Sequence, residues 1–297
     1  MLLQLLKHRS NSSGSSGLSL EVFDFHACTQ LEGGKHVWAL CTVVCFAVGF
    51  PACVAILWAM FKTRRGGSPF SPNDFFTLNL SAMDAVFLAF IPPGFLNYYM
   101  LYNEAFEAIW NGVYSLNTCG RPLLMACACA DCYLAVVHPI TYRQRKSQTL
   151  RAVLAGVVWT VTVASGFVYT FFYKIFLTMF PMVPFAVAIV IIGVCDSFII
   201  HTLINSDPGK NNTIHPQKQR AVQTLINSLV VAFISYLPPI LLYTFGLPLI
   251  DDPNVFFCTI GLPVTVTSTL GSAVMPLLYL NNLGKLDRFR FGCCRKT

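Results

Sequence analysis

Arg121 is the residue whose chemistry most constrains this chain. It sits inside a long apolar run, 106–134, and a guanidinium keeps its charge throughout the accessible pH range. Placing such a charge at the middle of a bilayer costs about 2.5–3.5 kcal/mol even on the lenient insertion scale. Arg121 must therefore turn inward and find a partner. Pro122 beside it lacks a backbone donor and predicts a kink in the same helix. The histidines offer no comparable chemistry: His8, His26, His36, His138, His201 and His215 fall outside the apolar runs or near their ends. None forms a metal-ligand or nucleophile constellation with carboxylates, so the sequence implies no metal, no cofactor and no enzyme.

The elements that hold Arg121 follow from composition. Of 297 residues, 55% are hydrophobic and only 11% charged, against about 25% charged in an ordinary soluble domain. A chain so poor in solvating charge needs lipid as its solvent. That excludes a disordered tail protein, a coiled coil and most cytosolic enzymes. Apolar stretches recur at 37–61, 75–98, 106–134, 150–172, 176–204, 221–245 and 254–281. Each reaches the ~20 residues that a helix needs to cross the hydrocarbon core. They are too continuous for the alternation of a barrel, and only helices and closed barrels satisfy their backbone in lipid. The sequence predicts an all-α membrane protein, a seven-transmembrane helix bundle. The boundary between the fourth and fifth spans is the least marked.

Basic residues fix the orientation. Fifteen of the twenty lie after the first, third and fifth spans or in the tail, from Lys62, Arg64 and Arg65 to Arg295 and Lys296. Positive charge stays in the cytoplasm, so the amino terminus is outside and the carboxyl terminus inside. The net charge of +7 is thus a topology signal, and no nucleic-acid partner is implied. Residues 1–36 form an extracellular, mostly disordered amino terminus, 37–281 the bundle, and 282–297 the cytoplasmic tail. The opening MLLQLLKHRS has too short an apolar part for a cleaved signal peptide, and the first span can serve as an uncleaved one. Asn11, in Asn11-Ser12-Ser13, is a glycosylation acceptor on the outer side; Asn211 has the same pattern on the wrong side. Of the twelve cysteines, only Cys28 and Cys258 lie at the oxidising face, where a disulfide would tie the amino terminus to the last outer loop.

Several motifs then fall in register. Asp131-Cys132-Tyr133 opens a stretch ending His138-Pro139. Leu78-Asn79-Leu80 precedes Asp84, Trp159 sits in the fourth span, Tyr236-Leu237-Pro238 in the sixth, and Met275-Pro276-Leu277-Leu278-Tyr279 closes the seventh. Together they resemble the DRYLAVVHP, LNLxxxD, aromatic-x-Pro and NPxxY motifs of rhodopsin-like (class A) G-protein-coupled receptors. The chain is identified as an atypical member, with phrases such as VGFPACVAILW and SYLPP similar to the nucleotide-, peptide- and lipid-binding branch. The seventh span holds no lysine for a retinal Schiff base, and Tyr114 stands where amine receptors carry aspartate. The odorant-receptor signatures are missing too.

The resemblance implies a plasma-membrane receptor. An extracellular ligand biases a two-state bundle toward a heterotrimeric G protein, with arrestin as a further candidate and membrane lipid around it. It implies a pocket lined by Tyr114, Ser115 and Thr118 on the third span and Tyr236, Pro239 and Tyr243 on the sixth. It also implies a short amphipathic eighth helix in the tail, with Cys293 and Cys294 as palmitoylation sites. Switch and coupling positions are Asp131, Cys132, Tyr133, Asp196, Met275, Pro276 and Tyr279.

Departures from the family cluster there. Cys132 replaces the arginine, Asp196 aligns with the fifth-helix tyrosine that meets it, Met275 replaces the NPxxY asparagine, and Cys53 the first-helix asparagine. A thiol cannot imitate a bidentate guanidinium. Arg121 occupies the position of a family serine that helps hold sodium beside the second-span aspartate, so an Arg121–Asp84 ion pair replacing that sodium is expected. Glu107 stands where the family has its third-span cysteine, and 168–182 contains no cysteine, so the family disulfide is lost and the second outer loop nearly so. So open a site suits an apolar ligand, or none. The competing reading within the fold is a non-signalling decoy or degenerate receptor. A transporter would show broken helices in two related halves, and no such symmetry is present.

Overall fold

The computed structural model describes residues 32–66, 72–101, 103–138, 140, 142, 148–176, 182–205, 216–246 and 257–282. Among these residues there is no strand. The first span is the helix Glu32–Arg65. The second joins Pro72–Ala89 and Ile91–Leu96 to a π-helical turn, Asn97–Leu101, and breaks at Phe90, where Pro92 and Pro93 follow. The third runs Glu104–Ser115, a π-helical turn Leu116–Gly120, then Arg121–Val137. Gln148–Phe176, Met182–Asn205 and Pro216–Leu241 form the fourth, fifth and sixth, and Leu262–Asn282 the seventh, with π-helical turns Leu242–Gly246 and Phe257–Gly261 between the last two.

Six helices among the described residues are long and apolar enough to cross a membrane. The sixth span contributes an apolar stretch of Leu229–Leu241 within its helix. Phe176, expected to open the fifth span, instead ends the fourth helix, and the described helix of the fifth span is Met182–Asn205. Pro184 lies in its first turn, where a proline ring that blocks the i−4 carbonyl is tolerated. The expected eighth helix, Cys293 and Cys294 lie outside the described residues, as do Asn11, Cys28 and Asn211.

The spans close a ring. The first packs on the second and seventh, the sixth on the fifth and seventh, and the third runs through the middle against the second, fourth and fifth. Cores form where three spans meet. Met125, Ala126 and Cys129 of the third lie with Phe185, Ile192 and Tyr236 of the fifth and sixth. Phe76 and Met83 of the second meet Leu124 and the fourth span's Ala155 and Val158. Trp58, Phe61, Phe171, Val190 and Phe198 face outward and exposed. Large apolar side chains on the outside and charges on the inside are what lipid selects.

Close approach needs small residues. The third and fourth spans cross at Gly112 and Gly166: a Cβ on Gly166 would stand 3.0 Å from the Gly112 carbonyl oxygen. Asn97 and Asn103 bond to each other between the second and third spans. Asn103 N donates to Asn97 Oδ1 at 2.9 Å, Asn97 Nδ2 donates to Asn103 O at 3.2 Å, and Asn103 Oδ1 caps the third span by accepting from Phe106 N. These bonds tie the start of the third span to the end of the second.

Candidate functional site

The π-helical turn Leu116–Gly120 ends two residues before Pro122. The proline ring cannot accept the carbonyl of residue 118 at ordinary helical spacing, and widening the turn relieves that clash. The wider turn sets the phase of the third span at Arg121, which is fully buried. Its Nε stands 3.2 Å from Asp84 Oδ1, and its Nη1 donates to the Tyr236 hydroxyl at 3.2 Å. Tyr236 donates in turn to Met125 Sδ at 3.3 Å and stacks on Phe185 with centroids 4.9 Å apart. Arg121 thus links the second and sixth spans. The seventh makes room for it: a Cβ on Gly271 would overlap Arg121 Nη1 and come within 2.6 Å of Ser235 Oγ.

Beyond the pair, a column of neutral polar groups continues along the third span toward Tyr114. Ser272 Oγ donates to Asn117 Oδ1 at 3.3 Å, Asn117 Nδ2 donates to Ser268 Oγ at 3.0 Å, and Ser268 shares a 3.4 Å hydrogen bond with the Tyr114 hydroxyl. The positive and negative charges cancel at its foot, and the chain of hydroxyls and amide binds the third span to the seventh. Such an arrangement can hold one packing of three helices or, rearranged, another; it offers no nucleophile or metal cage. No group of three metal-ligating side chains occurs among the described residues.

The expected pocket residues divide. Tyr114 is half-buried at the top of the column, and Tyr236 is buried at its foot. Ser115 is buried against the fourth span, donating to the Thr162 carbonyl at 3.1 Å. Thr118 is buried too and bonds back to the Tyr114 carbonyl at 3.2 Å. Pro239 is buried within the sixth helix, and Tyr243 falls in its π-helical turn, with its side chain outside the described set. Asn117, Ser268 and Ser272 were missed. A signal existed for the seventh span, where 268 and 272 recur at helical spacing on one face, but Asn117 stands in the π-helical turn, which ordinary spacing does not describe.

Near the end of the third span, toward His138, Asp131 is held by Arg151, 3.0 Å away, and by the Tyr142 hydroxyl, which donates to it at 3.2 Å. Tyr142 lies beyond the third span; burial first, then the Asp131 carboxylate, push its phenol up to about 12. Cys132 is half-buried, and Asp196 of the fifth span lies within its electrostatic reach. Asp196 is 2% exposed, and neither of its carboxylate oxygens has a hydrogen-bond partner. Tyr133 packs edge-on to His138 and Phe198. Tyr279 donates to Asp74 Oδ1 at 3.0 Å, tying the seventh span to the second; Pro276 is buried in the seventh helix and Met275 rests against the central core. Cys258 is disulfide-bonded, whereas the eight other described cysteines are free. A Cβ on Gly34 would overlap the Cys258 carbonyl, so the starts of the first and seventh spans touch.

A family model of the 7 transmembrane receptor (rhodopsin family) matches residues 52–176. Proteinase-activated receptor 3 of Bos taurus is 33% identical over 123 residues, covering 40% of this chain and 31% of that protein. Its Homo sapiens counterpart is 32% identical over 119 residues, 38% and 30% of the two chains. Mas-related G-protein coupled receptor member D of Rattus norvegicus is 25% identical over 253 residues, 81% of this chain and 77% of that one. The alignment thus spans less than a third of the length of either proteinase-activated receptor.

Proposed function

We propose, from the premise that the chain belongs to the rhodopsin-like (class A) G-protein-coupled receptors, that it binds an extracellular ligand and passes the signal to a heterotrimeric G protein. The observation that carries the reading is the polar column from Tyr114 to Arg121. It crosses the third, sixth and seventh spans, so any ligand that shifts Tyr114 or Tyr236 biases the packing of all three. The ligand is uncharged and largely apolar: Asp84 offsets the Arg121 charge at the foot of the column. Only residues 177–181 separate the fourth and fifth spans, which leaves little chain to cover a small polar molecule.

Arg121 takes the place of sodium beside Asp84, so sodium does not modulate this receptor. On the cytoplasmic side, Ile140 is 75% exposed, an apolar side chain offered to a partner. Arrestin would read the same surface, and the basic residues there keep the carboxyl terminus inside. Cys28 is the partner of the disulfide-bonded Cys258, Asn11 carries glycan, and Cys293 and Cys294 carry lipid beside a short eighth helix in the plasma membrane.

Cys132, Asp196 and Met275 favour a second reading, a non-signalling decoy, because they stand where family members carry the arginine, the fifth-span tyrosine that meets it and the NPxxY asparagine, although Asp131 and Tyr279 remain. Nucleotide exchange on purified heterotrimeric G proteins separates the two. The chain in phosphatidylcholine–phosphatidylserine nanodiscs is expected to speed exchange on at least one G-protein class above its rate alone. If no class responds, the decoy reading replaces this one.

A further inference from the structure

Three side chains close a triangle at the cytoplasmic ends of the third and fourth spans. Arg151 donates from Nε to Asp131 Oδ1 at 3.0 Å and from Nη2 to the Tyr142 hydroxyl at 2.7 Å. Tyr142 closes it by donating to Asp131 Oδ2 at 3.2 Å. The guanidinium also stands over the Tyr142 ring, 5.3 Å from its centroid. The members come from the end of the third span, the turn beyond it, and the start of the fourth.

Arg151 is only 6% exposed. An arginine that merely sets topology needs to stay near water and headgroups; burial with two directed bonds is not required for that. Asp131, partly buried itself, needs a cation, and the adjacent Cys132 cannot supply one because a thiol is neutral and a weak donor. A planar guanidinium can serve a carboxylate and a phenol at once, which an ammonium does poorly.

We propose that Arg151 is a positioning residue: it supplies Asp131 with its cation and thereby holds the turn 138–142 against the third and fourth spans. Among the described residues there, Tyr142 N donates to His138 O at 2.9 Å, and a segment confined between His138 and the fourth span's start at Gln148 is too short to stand as a helix alone in water. It carries the exposed Ile140, so Arg151 fixes the surface that a cytoplasmic partner meets. This last clause rests on the receptor reading above; the clamp itself does not. The phenol keeps its proton through the physiological range and goes on donating to Asp131.

The test is amide hydrogen exchange on the full chain in nanodiscs, read at Tyr142 beside the global melting midpoint. Arg151→Gln is expected to speed Tyr142 exchange at least tenfold while amides in the fifth and seventh spans hold their rates. Arg151→Lys is expected to recover part of the protection, and the charge exchange Asp131→Arg with Arg151→Asp more than either single change. If Arg151→Gln leaves Tyr142 exchange within twofold of the parent, the clamp is overturned. If the turn loosens but the parent drives no nucleotide exchange, the clamp stands and the receptor reading fails. If the parent drives exchange and Arg151→Gln changes neither readout, the clamp alone fails.

Discussion

Arg121→Met is expected to destabilise the folded chain by about 3–5 kcal/mol, the penalty for stranding one member of a buried ion pair. Asp84 is 1% exposed and its nearest cation is Arg121, 3.2 Å away. Methionine fills much of the volume but leaves a carboxylate in apolar surroundings and removes the donor to Tyr236. Pairing the change with Asp84→Asn should recover most of the loss, because a buried ion pair replaced as a whole is often close to neutral. The double-mutant cycle, read as melting midpoints in nanodiscs at one lipid composition, isolates the interaction. Equal midpoints for Arg121→Met and the parent would show that the pair holds nothing.

Cys132→Arg gives the second large effect, and it is not a simple reversion. The new guanidinium meets two carboxylates. Asp131 already accepts from Arg151 and Tyr142, whereas Asp196 is buried with both oxygens unpartnered. The guanidinium therefore goes to Asp196 and ties the third span to the fifth. The variant should melt higher than the parent, with a coupling of about 1–3 kcal/mol to Asp196 in a double-mutant cycle. It should drive no more G-protein exchange than the parent. Cys132→Arg with Asp196→Tyr, which frees the guanidinium, is expected to raise exchange about tenfold above the single variant, equivalent to 1.4 kcal/mol. A single variant that melts lower whether or not Asp196 is present would sink the argument.

Much of the bundle was readable because lipid makes hydropathy a strong signal: the helices fall on the apolar runs, and Arg121 announced itself by being charged where charge is costly. The fifth span was expected from 176, which instead ends the fourth helix, because one apolar run passes through Phe176 and hydropathy marks no boundary inside it. Ser115 and Thr118 were expected at the pocket from the family resemblance, whereas Ser115 bonds to the fourth span and Thr118 to the Tyr114 carbonyl. The π-helical turn Leu116–Gly120 changes the phase between Ser115 and Arg121, and no apolar pattern marks such a turn in advance. The link from Arg121 to Tyr236 was invisible for a different reason. It joins residues 115 apart in sequence, and only the packing of the third span on the sixth brings them together. Arg151 was counted only among the topology-setting charges, because a loop count carries no information on burial.

The claim at the centre is that this bundle closes its polar core with its own guanidinium. The most direct measurement is the melting midpoint of the parent and of Arg121→Ser in nanodiscs, with sodium exchanged for N-methylglucamine at constant ionic strength. The parent should not respond, because Arg121 already neutralises Asp84. The serine variant, with Asp84, Ser272 and Asn117 still in place, should gain a sodium-dependent rise, since a ligand bound only by the folded state stabilises it. A parent stabilised by sodium would contradict the account.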